Sequence, residues 1–359
     1  MKVSFLCAAV LTLVSVSTGA LAQDFTKAEL LGELILPTGL KIAGVEFGGI
    51  SGLDYDRTNN LYYAISDDRS EKAPARFYTL KVALNSEGIH GIDIVTATTL
   101  LNAAGHPFAA KDVDPESIRF NSATNTIYWT SEGDQKGTPA IRESRLDGTL
   151  LREFKLPDTY LPNEDKTRGI RNNLSFESLT ISSDGKTLLV GTENALVQDG
   201  GMATLSEGSR ARIIAFDISS GEVKAEYAYD TGPVFAQATQ VPFWNDNGLS
   251  EFAAWGDDLL TVERSYAHGV GNAINLYRVR FDNATNIMNT GFLKSVSLVP
   301  VKKEPVLHLG EGDFGLDIDN IEAVTWGPVI GNRKIILIAS DNNFSSAQRT
   351  QFAVFLLGE

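Results

Sequence analysis

Helical periodicity is scarce along this chain. Instead, short apolar runs recur at close spacing, separated by Gly, Asn and Asp turn residues, and this pattern predicts an all-β fold. Five segments repeat one unit. A first apolar strand carries an acidic or small polar residue near its start. A second apolar strand follows and ends in a carboxylate. The first strands contain Ile50-Ser51-Gly52-Leu53, Pro115-Glu116-Ser117-Ile118, Phe176-Glu177-Ser178-Leu179, Leu249-Ser250-Glu251-Phe252 and Asn320-Ile321-Glu322-Ala323. The second strands end in Ser66-Asp67, Ser131-Glu132, Thr192-Glu193, Val262-Glu263 and Ser340-Asp341. Turn residues separate each pair, as in Thr58-Asn59-Asn60 and Ser183-Asp184-Gly185.

Two further strands follow most pairs, for example Arg76 to Leu84 and Ile89 to Thr98. Repeated four-stranded units of this kind predict a β-propeller, in which blades surround a channel and leave only short edges. Five repeats are counted. A sixth, degenerate blade between Leu196 and Asn247 remains open, as does a merely repetitive β-sandwich. The fifth repeat lacks an outer strand, and Glu29 to Leu36 is expected to supply it and close the ring.

In a propeller the start of the innermost strand and the end of the next lie side by side at one mouth of the channel. That geometry predicts a convergence of nine carboxylates: Asp67, Glu116, Glu132, Glu177, Glu193, Glu251, Glu263, Glu322 and Asp341. Two unit charges about 4 Å apart repel by roughly 4 kcal/mol at an effective dielectric of about 20. Arg69 and Arg264 stand beside ring carboxylates, and Arg168 and Arg171 precede Glu177, but they are too few for nine acids. Bound cations are the expected remedy, and an all-oxygen donor set in a roomy site favours Ca2+. The four histidines fall at unrelated repeat positions, against a zinc centre. Glu116, Glu177, Glu251 and Glu322, with Asp67 and Glu263, are the expected metal ligands. About half of the nine are expected instead to accept hydrogen bonds from backbone N–H groups, with Glu132, Glu193 and Asp341 the more exposed to that reading.

Composition sets the compartment and excludes some partners. Residues 1–22 have a basic start at Lys2, an apolar stretch from Phe5 to Val16 and a small-x-small ending at Ala20-Leu21-Ala22, the pattern of a cleaved signal peptide. Residues 23–359 are expected to form a single propeller domain, periplasmic or secreted, with no membrane span after cleavage. Cys7 is the only cysteine and lies in the leader, so stability must come from a large core rather than disulfides. The formal net charge of −14 speaks against nucleic acid. Gly310-Glu311-Gly312-Asp313-Phe314-Gly315 matches a glycine-rich phosphate loop but lacks the helix and carries two acids, so it reads as a loop at the mouth. No nucleophile-elbow serine is present.

An ordered set of segments resembles the phytase-like, "esterase-like activity of phytase" domain family of bacteria. It comprises Gly48-Gly49-Ile50-Ser51-Gly52-Leu53, Ile65-Ser66-Asp67-Asp68-Arg69, Asp114-Pro115-Glu116-Ser117-Ile118, Arg168-Gly169-Ile170-Arg171-Asn172-Asn173 and Phe176-Glu177-Ser178-Leu179. It continues with Glu263-Arg264-Ser265, Asp319-Asn320-Ile321-Glu322 and Ser340-Asp341-Asn342-Asn343-Phe344, with Gln351-Phe352 near the end. The resemblance implies an exported propeller and calcium-dependent hydrolysis of small-molecule phosphoesters. Propeller phytases have six blades, against the five repeats counted here. Ions held by the glutamates would offset phosphate charge and activate a water. Glu177 is then expected to be catalytic, with Arg69, Arg264 and Arg171 as phosphate clamps or as ion-pair partners of nearby acids. A calcium-dependent lactonase or carboxylesterase, and a non-catalytic binding propeller, remain as alternatives.

Overall fold

A computed structural model describes residues 28–358. The expected signal peptide, residues 1–22, with Cys7, lies outside the described residues. The strands, in chain order, are β1 (Ala28–Leu36), β2 (Lys41–Ile42), β3 (Val45–Glu46), β4 (Ile50–Asp56), β5 (Leu61–Ser66), β6 (Arg76–Asn85), β7 (Gly88–Thr99), β8 (Pro115–Asn121), β9 (Thr126–Ser131), β10 (Ala140–Arg145) and β11 (Leu150–Glu153). They continue with β12 (Phe176–Ile181), β13 (Thr187–Thr192), β14 (Arg210–Asp217), β15 (Val223–Asp230), β16 (Asn245–Trp255), β17 (Asp258–Ala267), β18 (Gly271–Arg280), β19 (Lys302–Leu309), β20 (Ile321–Trp326), β21 (Ile335–Ser340) and β22 (Thr350–Leu357).

Apart from the small β2–β3 hairpin, these strands form five antiparallel sheets of four. β4, β8, β12, β16 and β20 are innermost, and each packs against the next around a closed ring. The chain is therefore a five-bladed β-propeller. Residues 196–247 hold no sixth blade. They supply β14 and β15 of blade 3 and the approach to blade 4.

Blade 5 closes as its sequence predicts. Its outer strand is β1, paired along β22 from Ala28 opposite Leu357 to Leu36 opposite Thr350. The alternating apolar residues of each blade meet those of its neighbour, so the core is a set of slabs between blades. Leu53, Tyr62 and Tyr78 of blade 1 pack on Leu337 and Val354 of blade 5. Phe176, Leu188 and Phe216 of blade 3 meet Tyr128 and Phe154 of blade 2.

A buried ion pair bridges the inner strands near the axis. Arg119, on β8, donates from Nη1 to the carbonyls of Leu53 at 2.9 Å and Ile118 at 2.6 Å. Its Nη2 reaches those of Phe252 at 2.6 Å and Val324 at 3.3 Å. Glu251 pairs with it at 3.2 Å and accepts from the Leu179 N–H of blade 3 at 3.2 Å. One buried ion pair thus touches the inner strands of all five blades.

Candidate functional site

Every innermost strand carries a β-bulge at the same point. The register shifts between Ile50 and Gly52, Pro115 and Ile118, Phe176 and Ser178, Leu249 and Glu251, and Ile321 and Ala323. A bulge inserts one residue and re-aims its side chain. The inserted residues are Ser51, Glu116, Glu177, Ser250 and Glu322. A second set follows the neighbouring strand in matching register: Asp67, Glu132, Glu193 and Asp341 donate their backbone N–H to Gly49, Asp114, Ser175 and Asn320 at 2.7 to 2.9 Å. In blade 4 the residue in this register is Arg264, opposite Gly248.

Seven of the nine expected carboxylates therefore converge: Asp67, Glu116, Glu132, Glu177, Glu193, Glu322 and Asp341 all line one cavity of about 1000 Å³. Asp114, Arg69 and Arg264 line it too. Ser51 hydrogen-bonds Glu116 Oε2 at 2.6 Å.

Blade 4 corrects the expectation for the other two. Its bulge selects Ser250, which turns Glu251 one position onward, toward the axis beside Arg119 and Ser117. Likewise Glu263 occupies the position of Ser66 and Ser131, one residue short of the rim. It is enclosed by the Tyr229 hydroxyl at 2.7 Å, the Gly232 N–H at 2.8 Å and Lys303 Nζ at 2.5 Å. Both acids are committed to protein donors. Arg171 is also turned away from the cavity, with its guanidinium on the carbonyls of Ala195 at 3.1 Å and Gly200 at 2.5 Å.

The two arginines at the cup differ. Arg264 faces Glu193 at 3.4 Å, Asp246 at 3.2 Å and Glu322 at 3.5 Å, and these acids raise its pKa well above the ordinary arginine range despite burial. Arg69 makes one ion pair, Nε to Asp114 at 3.3 Å, and a third of its side chain is exposed. The geometry thus makes Arg264 an internal counter-ion and leaves Arg69 able to meet a ligand.

Burial and mutual repulsion push the acids toward neutrality. Asp114 is pushed up to about 6 and Glu132 to about 7, in each case chiefly by desolvation. Asp67, Glu116, Glu177, Glu193 and Asp341 are raised well above the usual carboxylate range, with burial the first cause. Neighbouring carboxylates add to burial, Asp341 on Asp67 and Glu132 on Glu177. A bound cation would reverse both effects.

The donor set fits such a cation. Oxygens of Asp67, Asp114 and Glu116 lie within 4.8 Å of one another, as do those of Glu116, Glu132 and Glu177. Glu116 is common to both groups, and all the donors are the hard oxygens that Ca2+ prefers. Asp114 was not singled out from the sequence. Its place immediately before Pro115-Glu116 was the available signal.

A propeller with an acidic cup at the channel mouth defines the class. The chain belongs to the phytase-like family described as "esterase-like activity of phytase", which matches residues 45–344. An uncharacterized secreted protein of the fungus Arthroderma benhamiae is 33% identical over 28% of this chain, and the match spans about a quarter of that relative's length, 24%. Among solved structures, a thermostable family-43 glycoside hydrolase aligns with a TM-score of 0.49 at 13% identity, over 86% of this chain and 89% of that one. The periplasmic gluconolactonase of Pseudomonas aeruginosa aligns with a TM-score of 0.39 at 10% identity, over 87% of this chain and 86% of that one.

Proposed function

We propose that this chain is an exported, calcium-dependent phosphoesterase that hydrolyses small organic phosphate esters in the acidic cup. The carrying observation is the pair of carboxylate triads that share Glu116 on the cavity wall. Membership of the phytase-like family and the all-oxygen donor set support Ca2+. The leader-like residues 1–22 support export.

Asp67, Asp114, Glu116, Glu132 and Glu177 would hold the metal. When bound, calcium supplies positive charge toward phosphate oxygens and a more acidic water. Arg69 is placed to donate to a phosphate oxygen from the exposed part of its guanidinium. Arg264 pairs with Glu193 and Glu322 and holds them in place. Glu177 lies in one carboxylate group with Glu116 and Glu132; with a cation favouring its ionised form, it would accept a proton from the attacking water.

Phosphate release from a generic phosphomonoester, measured with Ca2+ and with a chelator, tests this reading. Activity is expected with Ca2+ alone. Glu116→Gln is expected to lower kcat/KM about a hundredfold and to remove the calcium-induced rise in Tm. Equal turnover in chelator overturns the metal assignment. Calcium-dependent cleavage of lactones or carboxyl esters without phosphate release overturns the phosphate assignment.

A further inference from the structure

One wall of the cup differs in chemistry from the rest. Trp244, just before β16, is 47% exposed, and Met202 is 43% exposed. Both line the same cavity as the carboxylates, as does half-buried Tyr266. Tyr266 stands opposite Asp246 in the β16–β17 ladder, two residues along from Trp244. A tryptophan left open to water at a cavity wall is an uncommon use of the residue most suited to stacking.

The indole is also held in place. Its N–H donates to Asp246 Oδ2 at 3.0 Å, and Asp246 Oδ1 accepts from Arg264 Nη1 at 3.2 Å. Arg264 in turn faces Glu193 and Glu322. A single chain of polar contacts therefore ties the aromatic wall to the carboxylate wall. Fixing a platform before the ligand arrives removes an ordering cost from binding. Trp244 and Tyr266 belong to blade 4, whose rim position holds Arg264 in place of a carboxylate, and Met202 comes from the β13–β14 loop of blade 3.

We propose that Trp244, Tyr266 and Met202 form a second subsite that takes the leaving group of the ester, and that the preferred substrates are phosphomonoesters of aromatic alcohols. This rests on the phosphoesterase reading above. The phosphoryl group would sit toward Arg69 and the carboxylate triads, and the ring would lie against Trp244. A small polar alcohol would leave the apolar wall wet and gain nothing from it.

Calorimetric titration with phenylphosphonate and methylphosphonate in Ca2+ tests the subsite without turnover. The phenyl compound is expected to bind about tenfold more tightly, from ring stacking together with the buried ring area. Trp244→Ala is expected to bring the ratio of the two affinities close to one, and Trp244→Phe to keep most of it. Comparable binding of the two compounds by the unaltered protein, or an undiminished ratio in Trp244→Ala, overturns the subsite alone. Failure of both compounds to bind overturns the phosphoesterase reading and the subsite with it.

Discussion

Arg264 takes a position that the four other blades give to a carboxylate followed by a loop, and it faces three acids from inside the protein. Loss of its charge leaves Glu193 and Glu322 without their cation in a buried site, a change that costs on the order of 3 kcal/mol. Arg264→Gln is accordingly expected to lower the urea midpoint strongly in chelator, measured by far-ultraviolet circular dichroism. The remaining acids set a pH dependence. Their folded-state pKa values are raised, to about 6 for Asp114 and about 7 for Glu132. The unfolded chain ionises them near pH 4, so between about pH 4 and pH 7 the folded state binds more protons. Their contribution to stability is full below that window and is lost as pH rises through it. In chelator, Tm is expected to fall from pH 4.5 to pH 7.5. Saturating Ca2+, which binds the ionised forms, should flatten or reverse the decline. A Tm in chelator that rises across this interval would contradict the burial of these groups.

At the level of the strand, the bulge decides which side chain reaches the cup. The acids at 116, 177 and 322 were legible because each occupies the inserted position of a recognisable strand pair. Blade 4 was not legible in the same way. Leu249-Ser250-Glu251-Phe252 offers an acid one residue late, and Glu263-Arg264 offers one a residue early. Period-two alternation cannot tell which residue a bulge will insert, and a slip of one position turns a side chain to the other face. Arg171 failed for another reason. It lies in an irregular loop, between strands, where no repeat fixes direction. The strand pairs themselves were easy to read because their apolar runs and turn residues agree in all five repeats. The bulge of blade 1 has a further requirement. A Cβ on Gly52 would come within 2.7 Å of Ser117 Cα and 2.8 Å of the Glu116 carbonyl. Gly52→Ala should therefore push the neighbouring inner strand outward, at about 1–3 kcal/mol. Its calcium affinity, measured by titration, is expected to weaken along with its stability, because Glu116 belongs to both carboxylate triads. Unchanged affinity in a destabilised variant would separate the strand from the triads.

For the whole molecule, closure and the axial ion pair do the joining that disulfides cannot. β1 completes blade 5 and covers the edge of β22, which would otherwise be open to pairing with another chain. Glu251 and Arg119 link the five inner strands at the centre. Arg119→Ala leaves Glu251 enclosed with no cation, and breaking such a pair is expected to cost about 3–5 kcal/mol. The loss should appear as a single cooperative shift in denaturant unfolding rather than as the release of one blade. Two separate transitions would show that the blades are not coupled through the axis. The five-fold plan was visible in the chain, but this knot was not. Its members come from strands far apart in sequence, and Glu251 looked like one more rim acid.

With its acids gathered in one cavity, the molecule also has a front and a back. In the proposed reaction, substrate and product would share the acidic mouth, so a departing product and an arriving substrate would compete for the same space. The rear surface, where Trp255 stacks edge-on against Trp326, lies outside this traffic. That side could be tethered to a support with the entrance left clear.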